Sequence, residues 1–218
     1  MYDDDLRHRV VAELSGDPRV DGQTFQVSAG GGTVTLRGTV ASLRLKRAAG
    51  RAVARVRGVA SIANELRVQL PAQDRRGDAD LRGDVLEALM LDTSVPMTVD
   101  ARVRNGFVTL TGTVPWHYQR EAAESRAIDV PGVAGIDNAI TLTQTPDADA
   151  AREFITGAFR RNAALAADVL SVETSSGGLV TLSGTVSSWA AHDQAMAAAW
   201  SAPGVTQVDN RIRVMSKP

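Results

Sequence analysis

Val34-Thr35-Leu36-Arg37-Gly38-Thr39-Val40 decides the fold of this chain, because it occurs three times. It returns as Val108-Thr109-Leu110-Thr111-Gly112-Thr113-Val114 and again as Val180-Thr181-Leu182-Ser183-Gly184-Thr185-Val186. The spacings are 74 and then 72 residues. A second block keeps both spacings: Gly58-Val59 with Asn64, Gly132-Val133 with Asn138, and Gly204-Val205 with Asn210. Residues 34–68, 108–142 and 180–214 therefore align without a gap, and ten positions are identical in all three. A fixed internal period of this kind marks repeated supersecondary units.

The pattern around the repeated block is the same in each copy. Val34, Leu36 and Val40 fall on one face of a strand, and Thr35, Arg37 and Thr39 on the other. Turn residues precede it: Gly30-Gly31-Gly32, Asn105-Gly106 and Gly177-Gly178, which are hairpin signals. The hairpin's first strand alternates through Phe25 and Val27, or through Val99, Ala101 and Val103. An amphipathic helix opens the copy, with Leu6, Val10 and Leu14, then Leu81, Val85 and Leu89, and in the third copy Phe154, Ile155, Ala158 and Phe159. After the block, a helix over about 42–55 carries the apolar line Leu45, Ala49, Ala52, Val53 and Val56. Gly58, Gly132 and Gly204 end that helix. A last strand alternates Ile62, Asn64, Leu66 and Val68. A helical crossover favours parallel pairing of this strand.

The expected fold is thus α+β: three tandem αββαβ modules, each a mixed three-stranded sheet with two helices on one face. Module 1 spans 1–70, a linker 71–77, module 2 78–144 and module 3 145–218. About 70 residues makes a marginal core, so contact between modules should add stability.

The Gly-x-Val-Thr-Leu-x-Gly-Thr-Val strand and the later Gly-Val-x-x-Val-x-Asn-x-Leu-x-Val block resemble the BON domain, in osmotically inducible periplasmic and "transport-associated" bacterial proteins. The resemblance covers nearly the whole chain three times. It implies a bacterial, non-enzymatic binding protein associated with osmotic or envelope stress, contacting phospholipid or other proteins in a chaperone-like way. A cytoplasmic relative that senses potassium keeps a second reading open, and self-assembly into a structural element is a third.

Composition agrees with a binding role. Apolar residues are 44% and cysteines are absent, so cores are affordable and thiol chemistry and thiolate metal sites are excluded. His8, His117 and His192 occupy unrelated repeat positions. No zinc-binding spacing, nucleophile elbow, phosphate loop or EF-hand loop is present, so no catalytic residue, metal or cofactor is expected. No apolar run is long enough to cross a bilayer. The acidic start Met1-Tyr2-Asp3-Asp4-Asp5 is unlike a secretory signal. A cytoplasmic location is expected for the chain as it stands, and a periplasmic one if a leader was removed.

Charge is distributed unevenly. Residues 1–70 carry net +4, residues 71–144 net −4, and residues 145–218 net −1. The second helix of module 1 bears Arg44, Lys46, Arg47, Arg51 and Arg55. Arg44, Arg47, Arg51 and Arg55 form one stripe opposite the apolar line, about 16 Å long. The stripe is the candidate contact for an anionic phospholipid surface or an acidic protein, including the acidic second module in cis or in a homo-oligomer. Nucleic acid is not expected, because no aromatics interleave the stripe. Gly38, Gly112 and Gly184, with Gly58, Gly132 and Gly204, are expected to serve the fold. Asn64, Asn138 and Asn210 are expected to bond backbone groups of the turn after the second helix. Trp200 is expected in a core, and Trp116 and Trp189 in packing between modules.

Overall fold

Apolar residues at every fourth position bury one stripe of a helix and nucleate each module's core. In the computed structural model, which describes residues 2–20, 25–143, 147–162, 165, 169–175 and 177–215, they lie on α1 (Tyr2–Gly16), α3 (Asp78–Met90) and α5 (Ala148–Arg161). Leu6, Val10 and Leu14 are buried, as are Leu81, Val85 and Leu89. In module 3 the buried stripe is Ala151, Ile155 and Phe159. Phe154, expected on that face, is exposed, because it sits 100° round the helix from Ile155.

Each first helix feeds a hairpin. β1 (Phe25–Gly30) pairs antiparallel with β2 (Thr33–Val40) through Gly31 and Gly32, at φ 57° and 79°. β4 (Asp100–Arg104) pairs with β5 (Phe107–Thr111) through Asn105 and Gly106, at φ 52° and 76°. Two successive positive φ values match the twist of a two-residue hairpin turn. In module 2 the second strand resumes after Gly112 as β6 (Thr113–Val114). In module 3 β9 (Val169–Thr174) pairs with β10 (Leu179–Val186). Gly112 and Gly184 have φ 129° and 124°, and a Cβ on either would overlap the backbone carbonyl of Thr98 or Val169. These glycines let the hairpin's first strand approach.

The second helices are α2 (Leu43–Arg55), α4 (His117–Asp129) and α6 (Trp189–Trp200). Ser42 and Ser188 cap α2 and α6 by accepting from the amides of Leu45 and Ala191. Each helix returns the chain to a strand parallel to the hairpin's second strand. β3 (Ser61–Val68) lies on β2, and β11 (Gln207–Val214) lies on β10. β7 (Gly135–Asn138) lies on β5, and β8 (Thr141–Leu142) on β6. The order α-β-β-α-β is that read from the sequence. Val34, Leu36 and Val40 are buried under the helices, whereas Arg37 pairs with Glu65 on the open sheet face at 2.7 Å.

The linker between modules 1 and 2 contains a short 3-10 turn, Ala72–Asp74. The expected boundary between residues 144 and 145 lies outside the described residues.

The repeated asparagines tie strand to helix. Asn64 Nδ2 donates to the Lys46 carbonyl at 2.9 Å, and Asn138 Nδ2 to the Arg120 carbonyl at 3.0 Å. Their Oδ1 atoms accept from the amides of Leu66 and Ile140. The partners are in the first half of the second helix, not in the turn after it, because the strand runs back alongside that half. Module 3 varies the device: Asn210 donates to His192 Nε2 at 2.7 Å.

The three modules close on one another through a single repeat position. Leu43, at the start of α2, is buried in the core of module 2. One repeat on, His117 stacks on Trp200 of module 3, with ring centroids 3.8 Å apart and planes at 10°. One repeat further, Trp189 packs against the cores of both module 3 and module 1. Each module therefore inserts the first residue of its second helix into a neighbour, in the order 1 to 2, 2 to 3 and 3 to 1. Trp200, expected in a core, packs against the edge of the module 3 core and also forms the module 2–module 3 contact. Burying a side chain the size of Leu43 contributes about 1.5–3 kcal/mol, which a small module needs.

Candidate functional site

The basic stripe of α2 divides by partner. Arg47 donates to Glu124 Oε1 on α4, which binds module 1 to module 2. Glu124 also accepts from Asn138 Nδ2 at 2.9 Å. Burial pushes the Glu124 carboxyl up, but hydrogen bonds from Asn138 and Arg47 outweigh it and hold the group below its ordinary value. Arg55 is engaged within module 1, donating to Glu13 at 2.8 Å and to Asp17 at 2.7 Å. Arg44, Lys46 and Arg51 make no ion pair among the described residues, and Arg44 and Arg51 are exposed.

Sequence reasoning passed over Asp17. Its carboxylate is buried, 5% exposed. Hydrogen bonds from Arg19 and then Arg55 hold it well below the usual carboxylate range. The loops after α3 and α5 place Asp92 and Asn162 in like fashion. Asp92 accepts from Ser94 and Arg126, and Asn162 donates to Gln194. A polar residue that pins the first helix's end to the second helix thus recurs in all three modules. It is Asp in two modules and Asn in the third, at spacings of 75 and 70 residues that leave the repeat register, so a search for identical positions skips it.

A groove of about 670 Å³ runs between α2 and α4. Arg19, Arg44, Arg47 and Arg51 line its module 1 side, and Glu121, Glu124, Ser125 and Asp129 its module 2 side. A second groove, of about 510 Å³, runs between α4 and α6 and is lined by Trp116, Tyr118, Glu121, Asp193, Met196 and Trp200, with His117 at its floor. Trp116, expected in packing, is 44% exposed there, and Tyr118 is 57% exposed. Burial and the neighbouring Glu124 push the Glu121 carboxyl above its usual value.

Among the described residues there is no group of three or more His, Asp or Glu side chains placed to hold a metal ion. None of their helices is long and apolar enough to cross a membrane. Gly38, Gly58, Gly112, Gly132, Gly184 and Gly204 all have positive φ, which suits their place in turns and close strand approaches.

The family model of the BON domain matches residues 2–69, 77–144 and 147–216. The chain therefore belongs to the BON domain family, as a triple-module member. No match is found among curated proteins. Among solved structures, the chain is similar to CdsD, a structural protein of the type III secretion system of Chlamydia trachomatis. That match has 14% identity and a TM-score of 0.27, and covers 97% of this chain and 92% of the other. The C-terminal domain of CdsD matches with 14% identity and a TM-score of 0.26, covering 98% of each chain. At that level the likeness carries no argument about binding.

Proposed function

We propose that this chain is a non-catalytic binding protein that engages an anionic surface through α2. The surface is the headgroup layer of an acidic phospholipid bilayer or an acidic face of a partner protein. One observation carries this reading: Arg44, Lys46 and Arg51 make no ion pair among the described residues, while Arg47 and Arg55 are held internally. Each basic residue near an anionic bilayer contributes about 1 kcal/mol, so Arg44 and Arg51, which share the exposed stripe, would contribute about 2 kcal/mol, screened by salt.

Co-sedimentation with anionic and zwitterionic vesicles tests this. Low-salt binding to anionic vesicles should be lost in the Arg44→Ala, Lys46→Ala, Arg51→Ala triple variant. It should survive Arg55→Ala, which removes an internally paired charge. Binding that ignores the triple variant, or no binding to anionic vesicles at low salt, would remove the lipid reading and leave the acidic protein.

A structural reading is favoured by a different observation. The basic first module meets the acidic second one within a single chain, through Arg47 and Glu124. Under that reading the charges specify assembly of the chain's own modules. A concentration-independent monomer mass by light scattering would support pairing in cis, and growth of mass with concentration would favour pairing between chains.

A further inference from the structure

The two grooves are one groove seen at successive repeats. Shifting the α2 side of the first by 74 residues turns Arg44 into Tyr118 and Arg47 into Glu121. Shifting its α4 side by 72 turns Glu121 into Asp193, Glu124 into Met196 and Ile128 into Trp200. In the α2–α4 groove the central contact is a cation on a carboxylate, Arg47 on Glu124. In the α4–α6 groove the cation's position is itself a carboxylate, Glu121, and a second one, Asp193, stands across from it. The described residues lining this groove include no Lys or Arg. The groove is kept, but among the described residues no Arg reaches across it: Asp193 accepts from His192 on its own helix at 3.0 Å, and Glu121 feels the Arg120 charge from its own helix.

Aromatic rings have replaced the positive partner. The chain has three Trp, two Tyr and four Phe, and Trp116, Tyr118 and Trp200 all line this one groove. Trp116 and Tyr118 stand at the entry to α4 and are largely exposed, although nothing in the fold requires large rings there: the equivalent residues are Ser42 and Arg44 in module 1, and Ser188 and Ala190 in module 3. Met196 lies one turn before Trp200 on α6. Negative π-faces beside two carboxylates attract a positive charge. Met196 and Ala197 add apolar lining beside the three aromatic rings, so the favoured cation is one that carries its charge on an apolar, weakly hydrated shell.

The geometry points to the α4–α6 groove as a binding site for a small quaternary ammonium compound, with Trp116, Tyr118 and Trp200 against its methyl groups and Glu121 and Asp193 facing its charge. The site shares Glu121 with the α2–α4 groove but uses none of Arg44, Lys46 and Arg51, so its failure and that of the anionic-surface reading are distinguishable.

Tetramethylammonium chloride is the probe, titrated into the intact chain against sodium chloride at matched ionic strength. The readout is the tryptophan indole N–H signals in NMR, assigned from single Trp→Phe variants. Saturable shifts are expected at Trp116 and Trp200 and not at Trp189. Affinity should fall about tenfold in Tyr118→Ala and in Glu121→Gln, both at exposed positions, with circular dichroism checking that each variant remains folded. Neutral tert-butanol, of the same shape, should bind at least about tenfold more weakly. Shifts that do not saturate, equal binding of tert-butanol, or affinity unchanged in both variants would overturn the assignment.

Discussion

Asn64 and Asn138 show how much a single repeated amide does in this fold. Each donates to a helix carbonyl and accepts from a strand amide. Asn138 also supports Glu124 and so reaches the module junction. Replacing either by Ala leaves half-buried backbone groups unpaired, at about 1–3 kcal/mol. Asn138→Ala should be the more destabilising, and urea unfolding of the two variants measures the difference. The triplicated asparagine is legible in sequence. Its partner is not, because strand alternation tells which face a side chain takes and nothing about where along the helix that face arrives. Trp189 makes the opposite case. It fills space between two cores, yet its indole N–H is buried with no hydrogen-bond partner among the described residues. Trp189→Phe should be neutral or stabilising by about 1 kcal/mol, since it removes an unsatisfied donor and keeps a ring. Trp189→Ala should cost about 3–5 kcal/mol. Thermal unfolding of both separates ring from donor.

At the scale of the element, helix α4 carries a titrating group into an interface. Burial, and then the Arg120 charge, push the His117 imidazole down to about 4 from an ordinary 6.5. The folded protein therefore keeps this ring neutral where the unfolded chain would protonate it. That contribution to stability is fully present above pH 6.5 and is lost as pH falls from 6.5 to about 4. Melting temperatures measured across that window should drop in the wild type by more than in His117→Phe, which keeps the stacking ring and removes the titration. Equal slopes would mean that the ring is not held neutral by the junction. Asp92 acts lower: Ser94, then Arg126, hold it at about 2, so its contribution disappears only as pH falls from about 4 toward 2. The helices themselves were readable from apolar spacing, and their ends from Gly58, Gly132 and Gly204; the serine caps at Ser42 and Ser188 were not singled out. The residues that leave the apolar line were readable only in part. Leu43, His117 and Trp189 share a repeat position but differ in type, so neither identity nor amphipathicity selects Leu43 or His117; Trp189 was expected in packing between modules on its size and is found there.

For the whole molecule, the decisive contacts are those between modules, and the charge asymmetry seen in sequence is realised there. Arg47 and Glu124 meet across the first junction. Reversing one charge, Arg47→Glu or Glu124→Arg, places like charges in a half-buried contact. Reversing both should restore much of the loss, with a coupling of about 1–3 kcal/mol in a double-mutant cycle followed by chemical unfolding. A coupling near zero would show that the modules stay together through Leu43, the His117–Trp200 stack and Trp189 alone. The net charges of the modules were countable from the sequence. Which Arg of the stripe turns inward was not, since periodicity describes one helix and is silent about what stands opposite it. The closed order of insertion, 1 to 2, 2 to 3 and 3 to 1, has a consequence for length. A linear array of repeats has two ends, each with an unsatisfied face that a specialised terminal unit must cover. A head-to-tail contact that closes has none. Three is then a complete number: each module already gives one contact and receives one, and a fourth copy of the unit would find no vacant place.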